Sequence, residues 1–144
     1  MEPFHQQLKK WKTCRGYILM FNQLGKSIPI EICLLTNLGE IGLQSNKLSG
    51  SIPNCIGNLT NLQTLLLTSN SLSSSIPSSS WILENLHFLD LSFNSLSGSL
   101  HANMRVLKML QIIDLSWKII SGNIPTILGG FQSLYSLNLS GNSF

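Results

Sequence analysis

Asparagine stands at positions 22, 46, 70, 94 and 142, every interval a multiple of 24 residues, and Lys118 alone interrupts the series. A fixed period of that length means one supersecondary unit copied along the chain, because each copy must bury its apolar face against the next. The apolar residues fall into columns on the same period. Residues 62–70 read Leu62-x-x-Leu65-x-Leu67-x-x-Asn70, and residues 86–94 read Leu86-x-x-Leu89-x-Leu91-x-x-Asn94. The frame recurs at Leu38, Ile41, Leu43 and Asn46, and again at Leu134, Leu137, Leu139 and Asn142. Leu65 and Leu67 alternate with Thr64, Leu66 and Thr68, the pattern of a short strand with one buried face. Successive copies therefore place their strands side by side in a parallel sheet, about 4.8 Å apart. The asparagine that follows has donors and acceptors enough to bond backbone groups of its own turn and of a neighbouring one.

A second half follows each asparagine: Leu48-Ser49-Gly50-Ser51-Ile52-Pro53 is matched by Ile120-Ser121-Gly122-Asn123-Ile124-Pro125. Gly50, Gly98 and Gly122 suit a tight bend, and prolines 29, 53, 77 and 125 an extended or turn segment. The return arm, residues 54–61 for instance, has room for one or two turns of 3₁₀ or α type. The departures are informative. His5 and His101 replace proline, Lys26 and Ser74 replace glycine, and Lys118 replaces asparagine. A lysine cannot accept a hydrogen bond, so the ladder is expected to be weakest at Lys118. Phe4, Leu8, Trp11 and Cys14 match Ile28, Ile32, Leu35 and Leu38 one period later. The expected organisation is a single array over 1–144: a partial repeat 1–13, repeats 14–37, 38–61, 62–85, 86–109 and 110–133, and a partial repeat 134–144. Both ends are expected to be uncapped and to expose leucines.

The net charge of +3 carries little meaning for function. Lys9, Lys10, Lys12 and Arg15 face only Glu2 within residues 1–15, and the rest of the chain carries five charges of each sign. The repeats hold no basic face, which excludes a nucleic-acid partner. Cys14, Cys33 and Cys55 form an odd set. Cys14 stands in a core column and reads as a buried thiol. Cys33 and Cys55 lie two places out of register, so that a bridge between them requires the backbone to bend. Scattered cysteines and histidines give no metal-ligand spacing, and no cofactor site is expected. The apolar run Tyr17-Ile18-Leu19-Met20-Phe21 is too short for a signal peptide, and no stretch is long enough to span a membrane. Asn58-Leu59-Thr60 and Asn138-Leu139-Ser140 are glycosylation sequons.

Taken with Leu89-Asp90-Leu91-Ser92 and Gly57-Asn58-Leu59-Thr60-Asn61-Leu62, the Leu-Ser-Gly-x-Ile-Pro segments resemble the plant-specific extracellular class of leucine-rich repeats. That class occurs in receptor-like kinases, receptor-like proteins and polygalacturonase-inhibiting proteins. The resemblance covers nearly the whole chain. It implies an α/β solenoid, a right-handed superhelix with a parallel concave sheet and an extra strand contributed by the Leu-Ser-Gly-x-Ile-Pro segment. It further implies an extracellular or cell-surface parent protein that recognises a peptide, a protein or a co-receptor. The family's leader, paired-cysteine caps, membrane span and kinase motif are not visible in this sequence.

Asp90 and Asp114 occupy the same strand position in adjacent copies, and paired carboxylates at about 5 Å would suit a retaining glycosidase. An open sheet offers no pocket to exclude water, so no enzymatic activity is expected. Binding uses that face better, because its outward positions are free of packing demands. Phe88, Asp90 and Phe93 are expected beside Ile112, Asp114 and Trp117, followed by Tyr135, a set that suits a peptide with apolar and basic residues; the alternative for Phe93 and Trp117 is a fold over the loop edge. A glycan on Asn138 would crowd the end of this patch. Residues 39–45 offer a thinner surface. The leading expectation is a receptor-type recognition module. The alternative is an enzyme-inhibitor module resembling polygalacturonase-inhibiting proteins, and a third reading is an intracellular scaffold.

Overall fold

The computed structural model describes Trp11 and residues 13–144. Most of the half-unit expected over residues 4–13, with Lys9, Lys10 and Lys12, lies outside the described residues. In chain order the strands are β1 (Gly16–Ile18), β2 (Glu40–Gly42), β3 (Ser49–Gly50), β4 (Thr64–Leu66), β5 (Ser71–Ser75), β6 (Phe88–Asp90), β7 (Ser95–Gly98), β8 (Ile112–Asp114), β9 (Ile119–Ile120) and β10 (Ser136–Asn138). The even strands together with β1 make one parallel sheet in the order β1-β2-β4-β6-β8-β10, and β3-β5-β7-β9 make a second. The first sheet keeps the register of the sequence: Tyr17, Ile41, Leu65, Leu89, Ile113 and Leu137 are successive partners. The fold is a leucine-rich repeat solenoid, and the Leu-Ser-Gly-x-Ile-Pro segments supply the second sheet.

The second sheet is offset. Ser49 pairs with Ser71 and Ser97 with Ile119, partners 22 residues apart in sequence. The return arm runs in the same register, since a Cβ added at Gly57 would lie 2.7 Å from the carbonyl oxygen of Ser79. Cys33 and Cys55 therefore meet without any special bend, at a Cα–Cα distance of 5.8 Å, and form a disulfide. The expectation that a bridge needs local distortion is corrected: the offset belongs to that whole side of the coil. Cys14 is half-buried rather than fully buried, and its Sγ donates to Gly16 O at 2.9 Å.

Each arm is a 3₁₀ turn, and all but one have proline just before it, as at Asn54–Asn58 after Pro53. Proline's fixed φ (−61° at Pro53) sets up the turn, and its carbonyl receives the Ile56 N–H at 3.0 Å. Where His101 replaces proline, its Nδ1 accepts the Asn103 N–H at 3.1 Å, so a side-chain cap stands in for the fixed dihedral. Leu38, Leu62, Leu86 and Leu110 form a fully buried row, as do Ile41, Leu65, Leu89 and Ile113. One exchange is hidden in the core. Ser80 holds the column of Ile32, Ile56 and Met104 and has no partner for its Oγ among the described residues, and the adjacent Trp81 is fully buried. A small residue followed by a large one preserves volume where a lone serine would leave a void.

The asparagines close the turns. Asn94 Nδ2 donates to Leu67 O, Leu91 O and Ser92 O at 2.9, 3.0 and 3.1 Å, and Oδ1 accepts the Leu72 N–H at 3.0 Å. Asn46, Asn70 and Asn142 repeat the pattern. Lys118 reproduces a single member of it. Its Nζ donates to Leu91 O, the carbonyl one coil back, and the bonds to its own turn are lost.

Candidate functional site

The outward side chains of β4, β6 and β8 enclose a shallow depression of about 430 Å³ lined by Thr64, Leu66, Phe88, Leu89, Asp90, Ile112 and Asp114. Strand alternation puts Leu89 and Ile113 into the core and leaves Phe88, Asp90, Ile112 and Asp114 half-buried on the concave face. The register pairs Phe88 with Ile112 and Asp90 with Asp114. The depression thus has an apolar row and an acidic row, side by side.

Both carboxylates are held by the serine two residues on. Ser92 donates to Asp90 Oδ1 through its N–H at 2.9 Å and its Oγ at 2.6 Å, and Ser116 does the same for Asp114 at 2.9 and 2.6 Å. Ser92 has spent its single hydroxyl proton on Asp90, so at the 2.7 Å contact with Thr68 the threonine donates. Asp114 Oδ2 accepts from Asn138 Nδ2 at 2.9 Å. Asp90 Oδ2 accepts no hydrogen bond among the described residues, which leaves it the open acceptor of the pair.

Seven residues were expected to form one patch, and the structure divides them. Phe88, Asp90, Ile112 and Asp114 line the depression. Phe93 and Trp117 stack on each other beyond the strand ends, with ring centroids 6.2 Å apart and planes at 20°, yet both stay more than half exposed. They sit at φ 50° and 55°, in a left-handed column shared with Phe21, Ser45, Ser69 and Gly141. A Cβ at Gly141 would stand 2.8 Å from the Trp117 ring, so that glycine makes the seat for the indole. Tyr135 is 71% exposed and does not line the depression. Thr64 and Leu66 were missed as lining residues, although they occupy the columns of Phe88 and Asp90 one period earlier.

The other half of the concave sheet is different. A polar hollow of about 810 Å³ lies among Arg15, Asn37, Glu40, Asn61, Gln63 and Asn85. Asn61 and Asn85 already donate across the coils, to Thr36 O at 3.0 Å and Thr60 O at 2.9 Å. Of the sequon residues, Asn58 is exposed at the end of its 3₁₀ turn, whereas Asn138 is half-buried with its nitrogen bonded to Asp114.

Buried beside the depression is Lys118, only 6% exposed. Loss of hydration pulls its ammonium down to about 8, and the carboxylates of Asp90 and Asp114 act in the opposite direction. Among the described residues, no group of His, Cys, Asp and Glu could hold a metal ion.

The family model for the Leucine Rich Repeat matches residues 37–59, 61–82 and 85–107. A search of curated proteins returns no match. The ectodomain of the plant membrane receptor kinase GASSHO1/SCHENGEN3 from Arabidopsis thaliana was solved in complex with CASPARIAN STRIP INTEGRITY FACTOR 2. It is 38% identical, with a TM-score of 0.93 over 97% of this chain and 17% of that one. The ectodomain of the receptor kinase SOBIR1 from Arabidopsis thaliana is 32% identical, with a TM-score of 0.83 over 87% of this chain and 67% of that one. The Arabidopsis receptor kinase HAESA, solved with the peptide hormone IDA and the co-receptor SERK1, is 35% identical, with a TM-score of 0.86 over 94% of this chain and 23% of that one. The chain therefore spans about a fifth of two of these relatives and two thirds of the third.

Proposed function

The chain belongs to the leucine-rich repeat family, in the class that builds plant receptor-kinase ectodomains, and from that premise we propose that it is a recognition segment of a cell-surface receptor. Its ligand is an extended peptide or protein segment carrying apolar and basic side chains, laid across β4, β6 and β8. One observation carries this reading: the apolar row Phe88–Ile112 lies directly beside the in-register carboxylates Asp90 and Asp114, with Asp90 Oδ2 open. Fixing each Oδ1 through a serine beforehand removes the entropy cost of orienting a charge at the moment of binding.

The segment is a binding module, not an enzyme. Each carboxylate has one oxygen committed to a serine, and the depression is too open to shed water around a reacting bond. An extracellular setting fits the Cys33–Cys55 disulfide, since such bridges persist in oxidising compartments. Asn58 is the better glycan acceptor of the two sequons, because modification of Asn138 would break its bond to Asp114. Among the described residues, no helix is long and apolar enough to cross a membrane. A co-receptor, as HAESA has in its complex, is a natural second partner, and Phe93 with Trp117 offers it an apolar ledge.

Panning a random peptide display library against the folded chain tests the reading. Enriched sequences should pair a basic residue with an apolar one, and Phe88→Ala should weaken their capture at least about tenfold. Trp117→Ala should weaken it less, because the indole lies outside the depression. Retention of those peptides by both Phe88→Ala and Asp90→Asn would refute the site.

A further inference from the structure

Lys118 is a charge that neither the solenoid nor the proposed ligand site requires. Asparagine fills the same slot at 22, 46, 70, 94 and 142, and no turn at those positions carries a charge there. The Lys118 ammonium donates to the carbonyl of Leu91, the residue that directly follows Asp90. Asp114, the register partner of Asp90, lies four residues before Lys118 in the same coil. The ammonium is thus buried against the backbone next to Asp90, close enough for the charges of both Asp90 and Asp114 to act on it.

We infer that Lys118 is a built-in counter-ion for the Asp90–Asp114 pair, which neutralises part of the field that a ligand's basic group meets. The inference rests on the reading of the depression as a site for basic and apolar residues. Two carboxylates one strand spacing apart repel each other, and a ligand that brings two cations relieves this most. With Lys118 protonated the three groups sum to one negative charge, so that a single basic residue suffices. With asparagine at the position the sum is two, and a dibasic ligand gains the most. Lys118 thus sets the number of basic residues that the site prefers. Burial lowers the proton affinity of the ammonium, and the charges of Asp90 and Asp114 raise it.

The test uses the full chain and two synthetic probes, acetyl-Leu-Gly-Arg-Leu-amide and acetyl-Leu-Arg-Arg-Leu-amide. Lys118→Asn and Lys118→Met should each bind the dibasic probe about tenfold more tightly than the wild type and change the monobasic probe by less than about threefold. The methionine variant keeps the length of the side chain without its charge, and serves if the asparagine variant misfolds. In parallel, the Lys118 ¹³Cε resonance is followed against pH in the wild type, Asp90→Asn and Asp114→Asn. Each substitution should lower the Lys118 titration below about 8. A Lys118 titration indifferent to both substitutions overturns the counter-ion. So does a tightening that is equal for both probes. If the titration moves but Asp90→Asn leaves binding of both probes unchanged, the counter-ion stands and the peptide-site reading fails.

Discussion

The turn around Asn94 and the turn around Lys118 are one structure, a coil apart, closed by different chemistry. Asn94 makes three donor bonds and receives one N–H, so it ties its own turn, the previous coil and the start of the second sheet together. Lys118 keeps only the bond to the previous coil. The stacking bond can be made by any donor of sufficient reach. Closing the turn and receiving the N–H of the second sheet need a short amide with a carbonyl oxygen. The ladder is therefore two devices in one side chain, and Lys118 separates them.

Removing both devices at once should have the largest effect. Asn94→Leu leaves the buried Leu72 N–H without its acceptor and takes one of two donors from each of Leu67 O, Leu91 O and Ser92 O, and should cost about 2 kcal/mol in urea unfolding. A loss under about 1 kcal/mol would mean that the ladder is incidental to the stack. Restoring the missing device at the other turn comes next: Lys118→Asn should stabilise by about 1 kcal/mol.

The two turns should also differ in their response to pH. A lysine pulled down to about 8 in the folded chain, against 10.5 when unfolded, means that the unfolded state binds more protons between those values. Stability should therefore rise from pH 8 towards 10.5 in the wild type and not in Lys118→Asn. Tyr17, pushed up to about 12 by burial, opposes this above pH 10, so the rise should be read between pH 8 and 10. The smallest effect is expected where serine replaces glycine. Ser74 holds φ 69° in the column of Gly98 and Gly122, and Ser74→Gly should gain about 0.5 kcal/mol by thermal unfolding.

The concave sheet was readable before any coordinates because a 24-residue period forces Ile41, Leu65, Leu89 and Ile113 into register, and with them Asp90 and Asp114. The asparagine bonds followed from the chemistry of the amide. What escaped depends on tilt, which a period does not encode. The 22-residue register of the second sheet and the return arm brings Cys33 to Cys55, and nothing in the spacing of the columns announces it. The candidate site was half legible. Strand alternation places Phe88, Asp90, Ile112 and Asp114 on one face, and all four line the depression. For Phe93 and Trp117 the columns leave open a place in the patch or a fold over the loop edge; both residues take a left-handed turn, stack on each other and do not line the depression. Asn138 lies in the outward column of Asp90 and Asp114, and its bond to Asp114 depends on a side-chain rotation that no sequence column reveals.

Amide exchange at three equivalent leucines probes the interrupted ladder most directly. Leu48 and Leu72 give their N–H groups to Asn70 and Asn94, while Leu96 stands where the acceptor would have been residue 118. Leu96 should exchange at least about tenfold faster than Leu48 and Leu72, and Lys118→Asn should close the gap. Equal protection of all three amides in the wild type would contradict the role assigned to the asparagines.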